Sequence, residues 1–63
     1  MNDVPEWIGV KEASDIIGVS KDTVRTLAKQ QGFPSVRIGR VFRIEKQGLY
    51  RWMEDHKGKE VVL

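Results

Sequence analysis

Sixty-three residues with eleven Lys and Arg, nine Asp and Glu, one His and no Cys carry a net charge of +2, and a domain of this length buries only roughly 60% of the surface that its unfolded chain exposes. With no cysteine there is neither a disulfide nor a thiolate metal site, and the lone His56 builds no histidine site unaided, so no cofactor or metal is expected. No apolar run approaches the roughly 20 residues that span a bilayer, and the start Met1-Asn2-Asp3-Val4-Pro5-Glu6 lacks the basic-then-apolar pattern of a signal peptide, which predicts a soluble, cytoplasmic protein without membrane contact.

Polar residues 1–6, with Pro5 among them, read as a loosely ordered arm, and Trp7-Ile8 as a short extended segment covering one end of the core. Gly9 stands where a helix N-cap belongs, and Glu12 three residues on is half of a capping box. The first helix is expected over Val10 to Ile17. Its apolar Val10, Ala13, Ile16 and Ile17 recur at helical spacing, and Ala13 is small enough for a close helix crossing. Gly18 suits the left-handed residue that ends this helix, and Ser20 suits the N-cap of the next. Val19 between them reads as a core plug. From Ser20 a second helix is expected to run to about Gln31, with Val24, Leu27 and Ala28 as its packing stripe and Lys21, Arg25 and Lys29 as a cationic row. Like charges four apart disfavour a helix slightly, so this row is either solvated or met by an anion. The stretch from Gly18 to Gln30 has the form of a turn feeding the recognition helix of a helix-turn-helix.

Gly32 and Pro34 stop the second helix, and Phe33 between them is expected to be buried. Residues 36–44 then alternate apolar and basic about Gly39-Arg40, which predicts a two-residue hairpin loop between two strands. On this pattern Val36, Ile38, Phe42 and Ile44 face the core while Arg37, Val41 and Arg43 face out, and the hairpin forms a wing. A third helix is expected from Glu45 or Lys46 to about Lys57, with Leu49, Trp52 and Met53 inward, Tyr50 and Arg51 off the stripe and Gly58 as the stop. Gly48 weakens a helix interior by roughly 1 kcal/mol relative to Ala, so either the helix starts late or another backbone passes close. The end Lys59-Glu60-Val61-Val62-Leu63 is expected to fray rather than to fold back or to be offered to a partner. These elements make an α+β fold, a small winged helix-turn-helix with two N-terminal helices, a two-stranded hairpin and a C-terminal helix. The whole of residues 1–63 is expected to form a single domain with an ordered core over about 7–57.

Charge is unevenly spread along this order. Residues 21–51 hold eight basic residues against Asp22 and Glu45, a balance of +6, while residues 1–20 balance at −3 and residues 52–63 at −1. Positive charge concentrated on the recognition region is the electrostatic signature of a phosphate-binding surface.

The ordered series Trp7-Ile8, Glu12-Ala13, Ile17-Gly18-Val19-Ser20, Thr23-Val24, Phe33-Pro34, Val36-Arg37-Ile38-Gly39-Arg40, Phe42-Arg43-Ile44 and Leu49 with Trp52 resembles the excisionase-type, MerR-like winged helix-turn-helix family of phage and mobile-element proteins. The resemblance covers about residues 7–54. It implies that the second helix enters the DNA major groove and that the wing reaches an adjacent minor groove or phosphate. It further implies one of two roles. The first is a recombination directionality factor that bends DNA and directs a tyrosine or serine integrase to excision, and the second is a small transcriptional regulator; terminase small-subunit heads share the domain. Gly9 departs from the Ser or Thr that commonly caps the first helix in this family, and no coiled coil of the dimeric MerR sensors is present.

On this reading the DNA-binding residues are Lys21, Thr23, Arg25, Thr26, Lys29, Arg37, Arg40 and Arg43. Lys21 and Arg25 lie at the start of the recognition helix, the part that sits deepest in a groove. Thr23 either meets DNA or bonds the Ser20 cap, and Asp22 reads as an acid favoured by the helix dipole. Arg40 at the wing tip has no packing duty, while Arg37 and Arg43 are phosphate clamps or solvated strand positions. Trp7, Trp52, Phe33 and Phe42 are expected in the core. No paired carboxylates, phosphate loop or nucleophile with a base can be assembled, so an enzyme is not expected. The rival of another class is a protein-binding adaptor whose basic centre meets an acidic surface. One module of this size covers a single major-groove site, so a protein monomeric in solution and cooperative on adjacent DNA repeats is expected.

Overall fold

In the computed structural model, which describes residues 4–63, the chain runs β1 (Trp7–Ile8), α1 (Val10–Ile17), α2 (Lys21–Ala28), β2 (Ser35–Ile38), β3 (Val41–Glu45) and α3 (Lys46–Asp55). The first half of the expected N-terminal arm, residues 1–3, lies outside the described residues. The three strands form one antiparallel sheet in the order β1-β3-β2. The fold is α+β, with the helices on one face of that sheet.

Local chemistry sets the helix boundaries. α1 ends at Gly18, whose φ of +85° lets its N–H turn back to the Ser14 carbonyl at 2.8 Å, and Val19 N–H joins the same carbonyl at 3.1 Å. Ser20 caps α2: its Oγ accepts from the Thr23 N–H at 3.1 Å. At α1 the expected capping box is not formed. Gly9 supplies no side chain, and Glu12 instead lies 3.5 Å from the Lys46 ammonium, a full opposite charge that competes for the carboxylate better than a backbone N–H.

α2 is shorter than the sequence suggests. Lys29 and Gln30 N–H groups bond three residues back, to Thr26 and Leu27, and the Ser35 hydroxyl donates to the Ala28 carbonyl at 3.0 Å. The last turn therefore tightens and its free carbonyl finds a partner, so the helix stops before Gln31 and Gly32.

Ile8, Ala13, Val24, Leu27, Phe33, Phe42, Ile44 and Leu49 form the core. Ala13 is fully buried where α1 crosses α2. Trp52 packs edge-on against Phe33 with ring centroids 5.0 Å apart. Gly48 lies inside α3 because Pro34 passes against it: a Cβ at Gly48 would fall 2.8 Å from the Pro34 Cβ. Of the two explanations for this glycine, close approach is the one that holds, but it is the Pro34 ring and the Glu45 carboxylate that approach and not another backbone.

Five residues and the C-terminal segment sit differently from expectation. The Gly39-Arg40 loop pairs Ile38 with Val41, Arg37 with Phe42 and Val36 with Arg43. Directly paired residues of an antiparallel ladder point to the same face, so Val36 and Ile38 share the outer face with Val41 and Arg43, while Arg37 shares the inner face with Phe42. Val36 and Ile38 are accordingly exposed and not core. Trp7, paired with Glu45, falls on the outer face too, and it is Ile8, paired with Ile44, that enters the core. Val19 is 37% exposed and does not plug the core, since the turn ends with its side chain at the surface. The C-terminal residues lie on the body rather than frayed: Val61 packs against the core and Gln30 Nε2 donates to the Val62 carbonyl at 2.9 Å.

Candidate nucleic-acid interface

Val24 and Leu27 anchor α2 to the core, which turns Lys21, Asp22, Arg25, Thr26 and Lys29 to solvent. Arg25 is held in place by Asp22, Nη1 to Oδ1 at 2.8 Å, one turn earlier. An exposed pair of this kind adds little stability. Its effect is positional, because it ties the guanidinium to the first turn of the same helix. The acid read as a helix-dipole residue thus also orients the neighbouring cation.

Arg25 lines a cleft of about 280 Å³ together with Gly9, Val10, Arg40, Val41, Phe42 and Arg43. Three cations line it: one from α2, one from the hairpin tip and one from β3. The tip is tight because Gly39 adopts a φ of +60°, which places Arg40 at the apex. Arg43 lies over the start of α1, and a Cβ on Gly9 would stand 3.3 Å from its Nη1. A Ser or Thr at that position would narrow this approach. Gly9 and Val41 are therefore parts of the site that sequence reasoning did not include. Only the strand register, with Ile8 opposite Ile44, could have pointed to Gly9.

The eight expected residues divide by placement. Arg25, Arg40 and Arg43 converge on the cleft, and Lys21 and Lys29 extend the exposed cationic row of α2. Among the described residues, Lys21, Lys29, Arg37, Arg40 and Arg43 form no salt bridge, whereas Lys46 faces Glu6 and Glu12, and Arg51 faces Glu45. Of the eight basic residues of the central stretch, five thus pair with no acid among the described residues, Arg25 pairs with Asp22 of its own helix, and Lys46 and Arg51 are occupied by Glu6, Glu12 and Glu45. Arg37 is drawn back onto the hairpin: its Nε donates to the Gly39 carbonyl at 2.9 Å and its guanidinium lies 5.5 Å from the Phe42 ring centroid. Thr26 donates its hydroxyl to the Asp22 carbonyl at 3.1 Å. The Thr23 hydroxyl lies 2.9 Å from the Ser20 Oγ, on the opposite flank of α2 from Arg25. Of the two roles open to Thr23, the cap bond is the one that the geometry displays.

A family model described as a helix-turn-helix domain matches residues 7–57. No curated protein and no solved structure matches the chain.

Proposed function

The chain belongs to the helix-turn-helix domain family, a DNA-binding domain, and on that premise we propose that it is a phage or mobile-element excisionase. It binds specific duplex sites, bends them and directs an integrase toward excision. In this reading α2 occupies the major groove, with Lys21 and Arg25 at base edges and Lys29 on phosphate, and the hairpin acts as a wing. Arg40 reaches the neighbouring minor groove or its phosphates, and Arg37 and Arg43 hold the backbone. Thr26 contributes its hydroxyl at the margin of the same helix, while Thr23 serves the Ser20 cap. The observation that carries the reading is the meeting of Arg25, Arg40 and Arg43 in one cleft beside the open α2 face. A site that brings cations from α2 and a hairpin together straddles a groove, and phosphate contacts of this kind fix register while the helix reads bases.

The protein works as a cytoplasmic, nucleoid-associated binding module without cofactor or catalysis, monomeric in solution and cooperative on adjacent repeats. The excisionase role is supported by the ordered motif series from Trp7 to Trp52. Footprinting on the ends and promoters of the encoding element, combined with an integrase assay, tests it. Protected repeats at an element end and a gain of excision product are expected. Protection of a promoter with altered transcription and unaltered integrase products would replace this role with that of a transcriptional regulator. Binding to an acidic protein surface but to no duplex would leave an adaptor.

A further inference from the structure

Arg43 is the outward residue at the middle of the central strand β3, and Val36 of β2 is its direct partner. Trp7, Val36 and Ile38 line with it a shallow apolar groove on the outer face of the sheet. An antiparallel sheet with one face on the core commonly turns polar residues outward, so three apolar side chains around one arginine need a reason. The methylene stem of an arginine packs on apolar surface while its charged head stays in water, and these side chains give the stem a seat. The head belongs to another place, because Arg43 also lines the cationic cleft. It forms no salt bridge among the described residues. Glu45, two residues on along the same face, is paired instead with Arg51 of α3 at 3.9 Å.

Gly9 follows Ile8, which pairs with Ile44, and so comes opposite Arg43. Its φ of −85° and ψ of 177° are extended values open to every residue, and no turn or strain requires a glycine there. It stands at the N-cap of α1, where Ser, Asp and Asn are preferred to it. Neither conformation nor capping therefore accounts for Gly9. Space does: a Cβ would stand 3.3 Å from the Arg43 Nη1, so with any side chain present the guanidinium, the free end of a flexible chain, must give way.

We propose that Gly9 is a positioning residue of the DNA site: its missing side chain, together with the apolar seat of Trp7, Val36 and Ile38, holds the Arg43 guanidinium in the cleft as a preset clamp for one backbone phosphate. This rests on the DNA-binding reading and deepens it, since it says how one cation of the site is fixed before DNA arrives. The cleft is lined by Arg25, Arg40 and Arg43 and, among the described residues, by no acid, so an anion entering it meets only cations. A planar guanidinium already held in place loses less conformational freedom when a phosphate binds than one that must be ordered at that moment. Ordering one long side chain at an interface weakens binding by about three- to tenfold, and Gly9 spares the protein that loss.

Two substitutions test this. Gly9→Ala adds the Cβ alone, and Gly9→Ser adds it together with a hydroxyl that can cap α1, so a loss through the helix end is separated from a loss through Arg43. In the free protein, the heteronuclear NOE of the Arg43 side-chain Nε–H should lie near backbone values and above that of Arg40, and it should fall in both variants. On cognate duplex both variants should bind about three- to tenfold more weakly, with the same factor on random duplex because a phosphate contact carries no sequence. Adding either one to Arg43→Ala should cost nothing further. An Arg43 Nε–H as mobile as that of Arg40 in the unaltered protein would overturn the proposal. So would unchanged affinity in both variants, a loss in Gly9→Ala that Gly9→Ser restores, or the same loss repeated in the Arg43→Ala background. An Arg43 side chain ordered in the unaltered protein and freed in both variants, with no duplex bound by any of them, would refute the DNA reading and leave the placement of Arg43 by Gly9 standing.

Discussion

Gly48→Ala should destabilise this protein, although the same change in an ordinary helix interior stabilises it. Replacing Gly by Ala within a helix contributes roughly 1 kcal/mol through backbone entropy. At Gly48 the added Cβ would lie 2.8 Å from the Pro34 Cβ and 2.9 Å from the Glu45 Oε1. The Glu45 carboxylate can rotate aside at small cost. The Pro34 Cβ is fixed in its ring and next to buried Phe33, so the loop and α3 must move apart. Overpacking of this kind costs about 1–3 kcal/mol, which leaves a net loss of about 1 kcal/mol after the helix gain. For a domain of this size that loss lowers the melting temperature by roughly 4–8 °C. Urea unfolding followed by tryptophan fluorescence should show a lower midpoint at unchanged slope. A midpoint raised by the equivalent of about 1 kcal/mol would mean that Pro34 does not press on α3, and the reasoning would be wrong.

Other substitutions test other parts of the account. Ser20→Ala removes the acceptor of the Thr23 N–H and should cost about 1 kcal/mol in thermal or urea unfolding; an unchanged midpoint would show that the cap contributes nothing. Arg25→Ala and Lys21→Ala should each lose about 1–3 kcal/mol on cognate DNA and relax specificity at one base pair, while Lys29→Ala weakens all duplexes alike; equal losses on cognate and random DNA for the first two would mean that α2 reads no bases. Deleting residues 59–63 uncovers the groove that Val61 fills and breaks the Gln30 to Val62 bond, so it should lower stability by about 1–2 kcal/mol and reduce cooperativity while single-site affinity persists. Full stability in the truncated protein would show those packing contacts to be idle.

The helices and the hairpin were legible in the sequence because each is specified locally. Gly18 and Ser20 punctuate the turn, and Gly39-Arg40 fixes a two-residue loop. Where reading failed, a long-range partner decided. Alternation alone made Val36 and Ile38 inward, yet the loop length pairs Ile38 with the outward Val41, so parity across the turn excludes that assignment. Trp7 looked like core from its bulk, but its pairing with Glu45 on β3 puts it outside, and no local pattern reveals a two-residue strand docking 36 to 38 residues away. The end of α2 depended on Ser35 reaching Ala28, a contact that exists only after the chain turns back. The cationic character of α2 was visible as a row of Lys21, Arg25 and Lys29. Its meeting with Arg40 and Arg43 through the space left at Gly9 was not, because it arises from the packing of β1 and β3 beside α1.

Salt dependence of duplex binding tests the central claim most directly. Six basic residues, Lys21, Arg25, Lys29, Arg37, Arg40 and Arg43, are exposed, and among them only Arg25 pairs with an acid, Asp22 of its own helix. If each neutralises one phosphate, the slope of log K against log salt should be roughly −5, with a cognate site held more tightly than random duplex throughout. A slope near zero, or equal affinity for every duplex at physiological salt, would contradict the account.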